Sequence, residues 1–90
     1  MKYIKSDNKI QVFENDVLAG EILWDKDNNV LNVQTTYVNP EFRSRKLGIC
    51  LVDQCVEYAR NNEFKIKPIC SYVKHVFEKN EVDYKDVWEK

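Results

Sequence analysis

The stretch that most constrains the fold is Tyr37-Val38-Asn39-Pro40-Glu41-Phe42-Arg43-Ser44-Arg45-Lys46-Leu47-Gly48-Ile49-Cys50. In it a β-favouring run stops at Asn39-Pro40, passes through a basic turn and enters an amphipathic helix. The helix follows from Leu47, Cys50, Leu51, Cys55, Tyr58 and Ala59, which recur at helical spacing, while Asp53, Glu57, Arg60 and Asn61 fall mostly between them. Arg43, Arg45 and Lys46 then sit at the helix start, the wrong sign for the positive end of its dipole. Each should cost roughly 0.3–1 kcal/mol where solvation is poor. A bound anion reverses that cost, because free backbone N–H groups and basic side chains converge on one phosphate-sized site. The alternative is that three flexible side chains simply point into water.

Ninety residues can bury one small core and are too few for two, so residues 1–90 are expected to form a single domain. The chain is 43% hydrophobic and 32% charged with net charge −1, which excludes a generally basic nucleic-acid binder, so any anionic partner must be met locally. The first residues, Met1 to Asp7, carry no apolar leader core, and no stretch approaches the roughly 18 apolar residues of a membrane span. A cytoplasmic protein with no membrane contact is expected. Cys50, Cys55 and Cys70 leave one thiol over in any disulfide scheme, and no pair has Cys-x-x-Cys spacing. Cys50 and Cys55 are also about 140° apart around a helix, and His75 is the only histidine, so no metal site is expected.

Taken in order, Lys2 to Lys5 suits a short strand, and Ile10, Val12 and Glu14 alternate before the turn pair Asn15-Asp16. Val17 to Trp24 reads as a second hairpin strand, Asp25 to Asn29 as a polar turn, and Val30 to Val38 as a β-branched third strand. After the helix, which ends at Asn61-Asn62-Glu63, Phe64 to Ile69 reads as another strand with Pro68 marking its edge or end. Strand, helix, strand implies a right-handed parallel crossover. Cys70-Ser71 opens a second helix with Ser71 as N-cap and Val73, Val76 and Phe77 inward, and Glu81 to Lys90 suits a short final helix. Cys50 and Cys55 read as core, and Trp24 and Trp88 as packing anchors. The sum is an α+β fold, a mixed and mainly antiparallel sheet with a crossover helix and a C-terminal helix.

Thr36-x-Val38-x-Pro40-Glu41-x-Arg43, Leu47-Gly48-x-x-Leu51-Val52, Tyr58-Ala59-Arg60 and Lys67-Pro68-x-Cys70-Ser71-Tyr72-Val73 together resemble the short single-domain branch of the GNAT superfamily of N-acetyltransferases. The likeness spans about Asn32 to Asn80. It implies acetyl-CoA as cofactor and an amine of unidentified class as acceptor. In that superfamily a Gln/Arg-x-x-Gly-x-Gly/Ala turn offers backbone N–H groups to the cofactor diphosphate, and Arg43-Ser44-Arg45-Lys46-Leu47-Gly48 occupies that frame. Arg43 and Gly48 match, whereas Lys46 stands at the first glycine, where its side chain could obstruct a phosphate or supply charge to it. Thr35 stands where the short branch often has histidine.

The resemblance further implies that Thr36, Tyr37 and Val38 receive the pantetheine arm, with a backbone N–H polarising the acetyl carbonyl. Cys70 corresponds to the short branch's catalytic candidate, as acyl-accepting nucleophile or as the acid that protonates departing coenzyme A. Free cysteine is also commonly a small buried hydrophobe, and that reading stays open. Tyr72 could be the acid in its place, and His75 a base, though a solvated histidine suits its position. Two other function classes remain: a non-catalytic module of the same fold that binds coenzyme A, an acyl-CoA or a protein, and a patch of Arg43, Arg45, Lys46 and Arg60 for nucleic-acid phosphate. The last lacks the interleaved aromatic residues of a nucleic-acid surface. A monomer or weak dimer is expected.

Overall fold

The structure, a computed structural model, describes the backbone of residues 1–90 and every side chain except those of Ser44 and Arg45. The elements run β1 (Lys2–Lys5), β2 (Lys9–Glu14), β3 (Val17–Asp27), β4 (Val30–Val38), a 3-10 helix (Pro40–Arg45), α1 (Leu47–Asn61), β5 (Lys65–Pro68), α2 (Ser71–Lys79) and α3 (Glu81–Tyr84). The strands form one sheet in the order β1-β2-β3-β4-β5. The first three junctions are antiparallel, and β4 with β5 is parallel, α1 making the crossover. This is the mixed α+β fold that the patterning implies.

The hairpins follow from their turn residues. Asn15 and Asp16 both have positive φ, 52° and 66°, as the tight turn between right-twisted strands requires. The second turn is shorter than expected: Asp25, Lys26 and Asp27 pair with Asn32, Leu31 and Val30, leaving only Asn28-Asn29 to reverse the chain, with Asn28 at φ 55°. Polar residues hold a strand there because the ladder on β4 continues opposite them.

The core lies between the sheet and its helices. Ile10, Val12, Ile22, Trp24, Leu31, Val33 and Ile66 meet Leu51, Val52, Cys55, Val56 and Ala59 of α1 and Val73, Val76 and Phe77 of α2, all of them buried. Each large aliphatic among them contributes on the order of 1.5–3 kcal/mol by leaving water. Cys50 is exposed, contrary to the expectation of a core role. Five residues of helix separate it from buried Cys55, so the two cannot face the same sheet, and Val52 and Val56 fill the stripe. Helix α1 ends in a Schellman arrangement: Phe64 N–H donates to Ala59 O at 2.8 Å, Glu63 N–H to Arg60 O at 3.4 Å, and Glu63 takes the left-handed conformation, φ 59°.

Strand β5 covers Lys65–Pro68, inside the expected Phe64 to Ile69. Helix α2 is entered from Cys70, its N-cap residue, with Ser71 already the first helical residue. The tail also differs from expectation. Helix α3 stops at Tyr84, and Trp88 forms a parallel bridge with Ile66, whose N–H donates to Val87 O and whose carbonyl accepts from Glu89 N at 2.8 Å. The extended tail wins because β5 otherwise has an unpaired edge. Arg60 fastens it, with Nε 2.9 Å from Asp86 Oδ2, and with Nη2 donating to Asp86 Oδ1 at 3.0 Å and to Asp83 O at 2.7 Å. Among the described residues, no helix is long and apolar enough to cross a membrane.

Candidate functional site

Strands β4 and β5 pair only from Val30 to Val33 against Lys65 to Pro68. The N–H groups of Ile69 and Cys70 then both donate to Val33 O, at 2.9 and 2.8 Å, and the strands part into a fork. On its other edge β4 stays paired with β3 as far as Val38, but the register slips at Gln34, since Trp24 faces Val33 while Leu23 faces Thr35. Gln34 is the extra residue, and its Nε2 donates to Asp25 Oδ2 at 2.6 Å. Such a bulge advances the side-chain alternation by one. Before it Leu31 and Val33 are buried; beyond it Thr36 and Val38 are the half-buried residues, and Thr35 and Tyr37 are exposed. The backbone turns with them. Asn39 N–H donates to Ala19 O on the β3 side, so alternation sets the N–H groups of Thr36 and Val38 on the opposite edge, in the fork.

Cys70 closes the fork. Its Sγ lies 3.6 Å from Thr36 Oγ1. Burial works against its thiolate, but the N–H of Val73, the Thr36 hydroxyl and the N–H groups of Tyr72 and Thr36 together outweigh burial and lower its pKa below the ordinary value. Cys55 shows the opposite case, its pKa pushed up to about 12 by burial alone.

The turn into α1 is shaped by Asn39 and Lys46. Asn39 Oδ1 accepts from Glu41 N at 3.0 Å, its Nδ2 donates to Leu18 O at 3.1 Å, and Pro40 follows in the first helical position. Lys46 ends the 3-10 helix and begins α1 in the left-handed conformation, φ 56° and ψ 34°. A glycine adopts that conformation freely, and a lysine at a cost of roughly 1 kcal/mol. The side chain of Lys46, the N-cap residue, makes no capping hydrogen bond, and no acidic residue lies in the first turn of α1. Beside this turn is a cavity of about 380 Å³ lined by Thr36, Val38, Arg43, Lys46, Gly48 and Tyr72. Two cations, an uncapped helix start and strand-edge donors suit a phosphate-bearing ligand with amide groups.

The sequence matches the GCN5-related N-acetyl-transferase family over residues 9–87. The chain belongs to that family. The solution structure of a GCN5-like candidate N-acetyltransferase from Staphylococcus aureus superposes with a TM-score of 0.78 at 33% sequence identity, covering 98% of this chain and 87% of the other. No curated protein matches the sequence.

Of the residues that the GNAT pattern singles out, Thr36, Val38, Arg43, Lys46 and Gly48 come together around the cavity, with Cys70 joined to them through Thr36. Leu47 is buried in the core and can offer the cavity only its backbone. Tyr37 turns its side chain to solvent and its backbone toward β3. The side chains of Ser44 and Arg45 lie outside the described residues. The four-cation patch does not form, because Arg60 is fourteen residues along α1 from Lys46, about 21 Å, and is engaged with Asp86. His75 is exposed. Among the described residues no cluster of three or more His, Cys, Asp or Glu side chains is placed to hold a metal ion.

Proposed function

We propose that this GNAT-family chain is an N-acetyltransferase that moves an acetyl group from acetyl-CoA to an amine, residues 1–90 working as one domain in the cytoplasm. The observation that carries the reading is Cys70 Sγ held 3.6 Å from Thr36 Oγ1, at a strand fork beside a cavity that Arg43 and Lys46 also line. Acetyl-CoA, when bound, supplies an acetyl group activated as a thioester. Arg43 and Lys46, with the backbone of Ser44, Arg45, Leu47 and Gly48, hold its diphosphate. The backbone groups of Thr36 and Val38 take up the pantetheine amides, and one of their N–H groups polarises the acetyl carbonyl. Cys70 then either protonates the departing sulfur or, as thiolate, accepts the acetyl group and passes it to the amine.

Replacing Cys70 with alanine should abolish turnover and leave coenzyme A binding largely intact; unchanged turnover removes Cys70 from the mechanism. Intact mass after incubation with acetyl-CoA and no amine separates the two roles, since only the nucleophile gains an acetyl group. A second reading, a module that binds coenzyme A without transfer, draws on Lys46 at the turn in place of glycine. Coenzyme A binding with no acetylation of any amine in a broad panel would establish it instead.

A further inference from the structure

Tyr72 is left without a role by Cys70 chemistry, yet it is built into the cavity wall. Its phenol lies on the first turn of α1: a Cβ on Gly48 would come within 2.6 Å of Tyr72 Oη and 2.9 Å of its Cζ. The absent side chain at Gly48 is therefore what lets the hydroxyl reach the helix start. That hydroxyl makes no hydrogen bond among the described residues. The side chain is 38% exposed, so the phenol is a free donor at the cavity rather than a core group. Burial, then Asp53, Cys50 and Cys70, raise its pKa, which keeps it a protonated donor across the neutral range. Arg43 and Lys46, which donate and do not accept, line the same cavity.

We infer that the Tyr72 hydroxyl is a ligand for the diphosphate of coenzyme A, adding a neutral donor at the first turn of α1 to the charge that Arg43 and Lys46 supply. This rests on the acetyl-CoA reading above. It assigns to Tyr72 a binding task, with its effect on affinity and not on the chemical step. Phosphate oxygens are acceptors only, so they complete a wall made of two cations, a hydroxyl and uncapped N–H groups. The occupant is set apart from other anions by the fork, which receives its amide-bearing arm at Thr36 and Val38.

The test compares coenzyme A with pantetheine, which has the same arm and thiol without the diphosphate, on the parent chain and on Tyr72→Phe, by calorimetry. The exchange removes one oxygen from a partly exposed ring, so the fold should be retained. The expected result is about a tenfold loss of coenzyme A affinity, the scale of one hydrogen bond to a charged group, with pantetheine affinity unchanged. In turnover the same variant raises KM and leaves kcat. An equal loss for both ligands moves Tyr72 to the arm and overturns the inference, as does unaltered coenzyme A affinity or a fall in kcat alone. A parent chain that binds neither ligand overturns the acetyl-CoA reading itself and the inference with it.

Discussion

Cys70 Sγ and Thr36 Oγ1 lie 3.6 Å apart although 34 residues of chain separate them. The contact exists because β4 carries one residue more than its partner requires, which swings Thr36 to the helix side of the sheet as β5 ends at Pro68 and α2 begins. A thiol at a helix start and a hydroxyl at a strand edge thereby become one unit.

That unit should show in thiol reactivity. Cys70 has a lowered pKa, so its thiolate, and its alkylation by iodoacetamide, should rise with pH below the ordinary thiol value of 9.0. Cys55, at about 12 and buried, should resist labelling in the native state. The linkage has a definite sign: a depressed folded pKa stabilises the fold above the unfolded value, and the effect is lost as pH falls through the folded one. Thr36→Val should move the Cys70 labelling curve to higher pH. Peptide mass spectrometry across pH reads both curves, and an unmoved curve in Thr36→Val would show that the hydroxyl plays no part.

The two glycines predict opposite stabilities on replacement by alanine. At Gly20 a Cβ would lie 2.8 Å from the backbone oxygen of Tyr37 and 3.1 Å from Leu51 Cδ1. Backbone in a paired strand cannot yield, and Gly20→Ala should lose about 1–3 kcal/mol. At Gly48 the obstacle is the far end of the Tyr72 ring, which can swing into solvent. Gly48→Ala should match or exceed the parent, helped by roughly 0.5–1 kcal/mol of helix propensity. Urea unfolding decides, and equal losses at both sites would contradict the contrast.

Lys46→Gly should stabilise the chain by up to about 1 kcal/mol, because glycine takes the left-handed conformation without strain. It should also flatten the salt dependence of coenzyme A binding by removing one cation from the cavity wall. A melting midpoint at or below that of the parent, or an unchanged salt slope, would argue against strain or charge respectively.

The tail should be tied down by ion pairing within a bounded pH range. Hydrogen bonding to Arg60 lowers the pKa of Asp86. A lowered carboxyl pKa contributes above the unfolded value of about 4 and is lost as pH falls through the folded one. The pair is largely exposed, so Arg60→Ala should lose no more than about 1 kcal/mol overall. Amide exchange at Ile66 and Glu89 should nonetheless quicken markedly. At the alkaline end, Tyr84 behaves conversely. Burial and its hydrogen bond to Asp53 Oδ1, 2.9 Å, raise its pKa to about 12. Its contribution is present below the ordinary value of 10.0 and lost as pH rises through 12. Tyr84→Phe should remove that alkaline limb.

Much of this architecture was legible in the chain. The β-branched run Val30 to Val38, the Asn15-Asp16 turn and the stripe from Leu47 to Ala59 are local signals, each decided by residues close in sequence. Of the candidate site, the motif pointed to Arg43 and Gly48, which line the cavity, and to Cys70, which meets Thr36. Three features depend on distant partners and left weaker traces. Gln34 reads as an ordinary strand residue until its opposite number on β3 is known, although the consecutive polar trio Gln34-Thr35-Thr36 does break the alternation. Val87 to Lys90 looks helical by spacing, and only the open edge of β5 draws it out straight. Tyr72 was placed at a helix start, but nothing local told that Gly48 would receive it.

The register slip at Gln34 means that β4 carries two reading frames, one for the scaffold and one for the site. A substitution at Thr36 or Val38 alters one wall of the fork. Were Gln34 paired in strict alternation rather than bulged out, the faces of everything that follows would be exchanged, sending Thr35 and Tyr37 inward and turning Thr36 and Val38 out to water. Cys70 would then face a strand whose donors point the other way. In this fold the length of β4 is inherited as strictly as its residues: drift can change side chains one at a time, but one further residue paired into the ladder before Thr36 should turn the site's wall away from the fork while sparing most of the sheet.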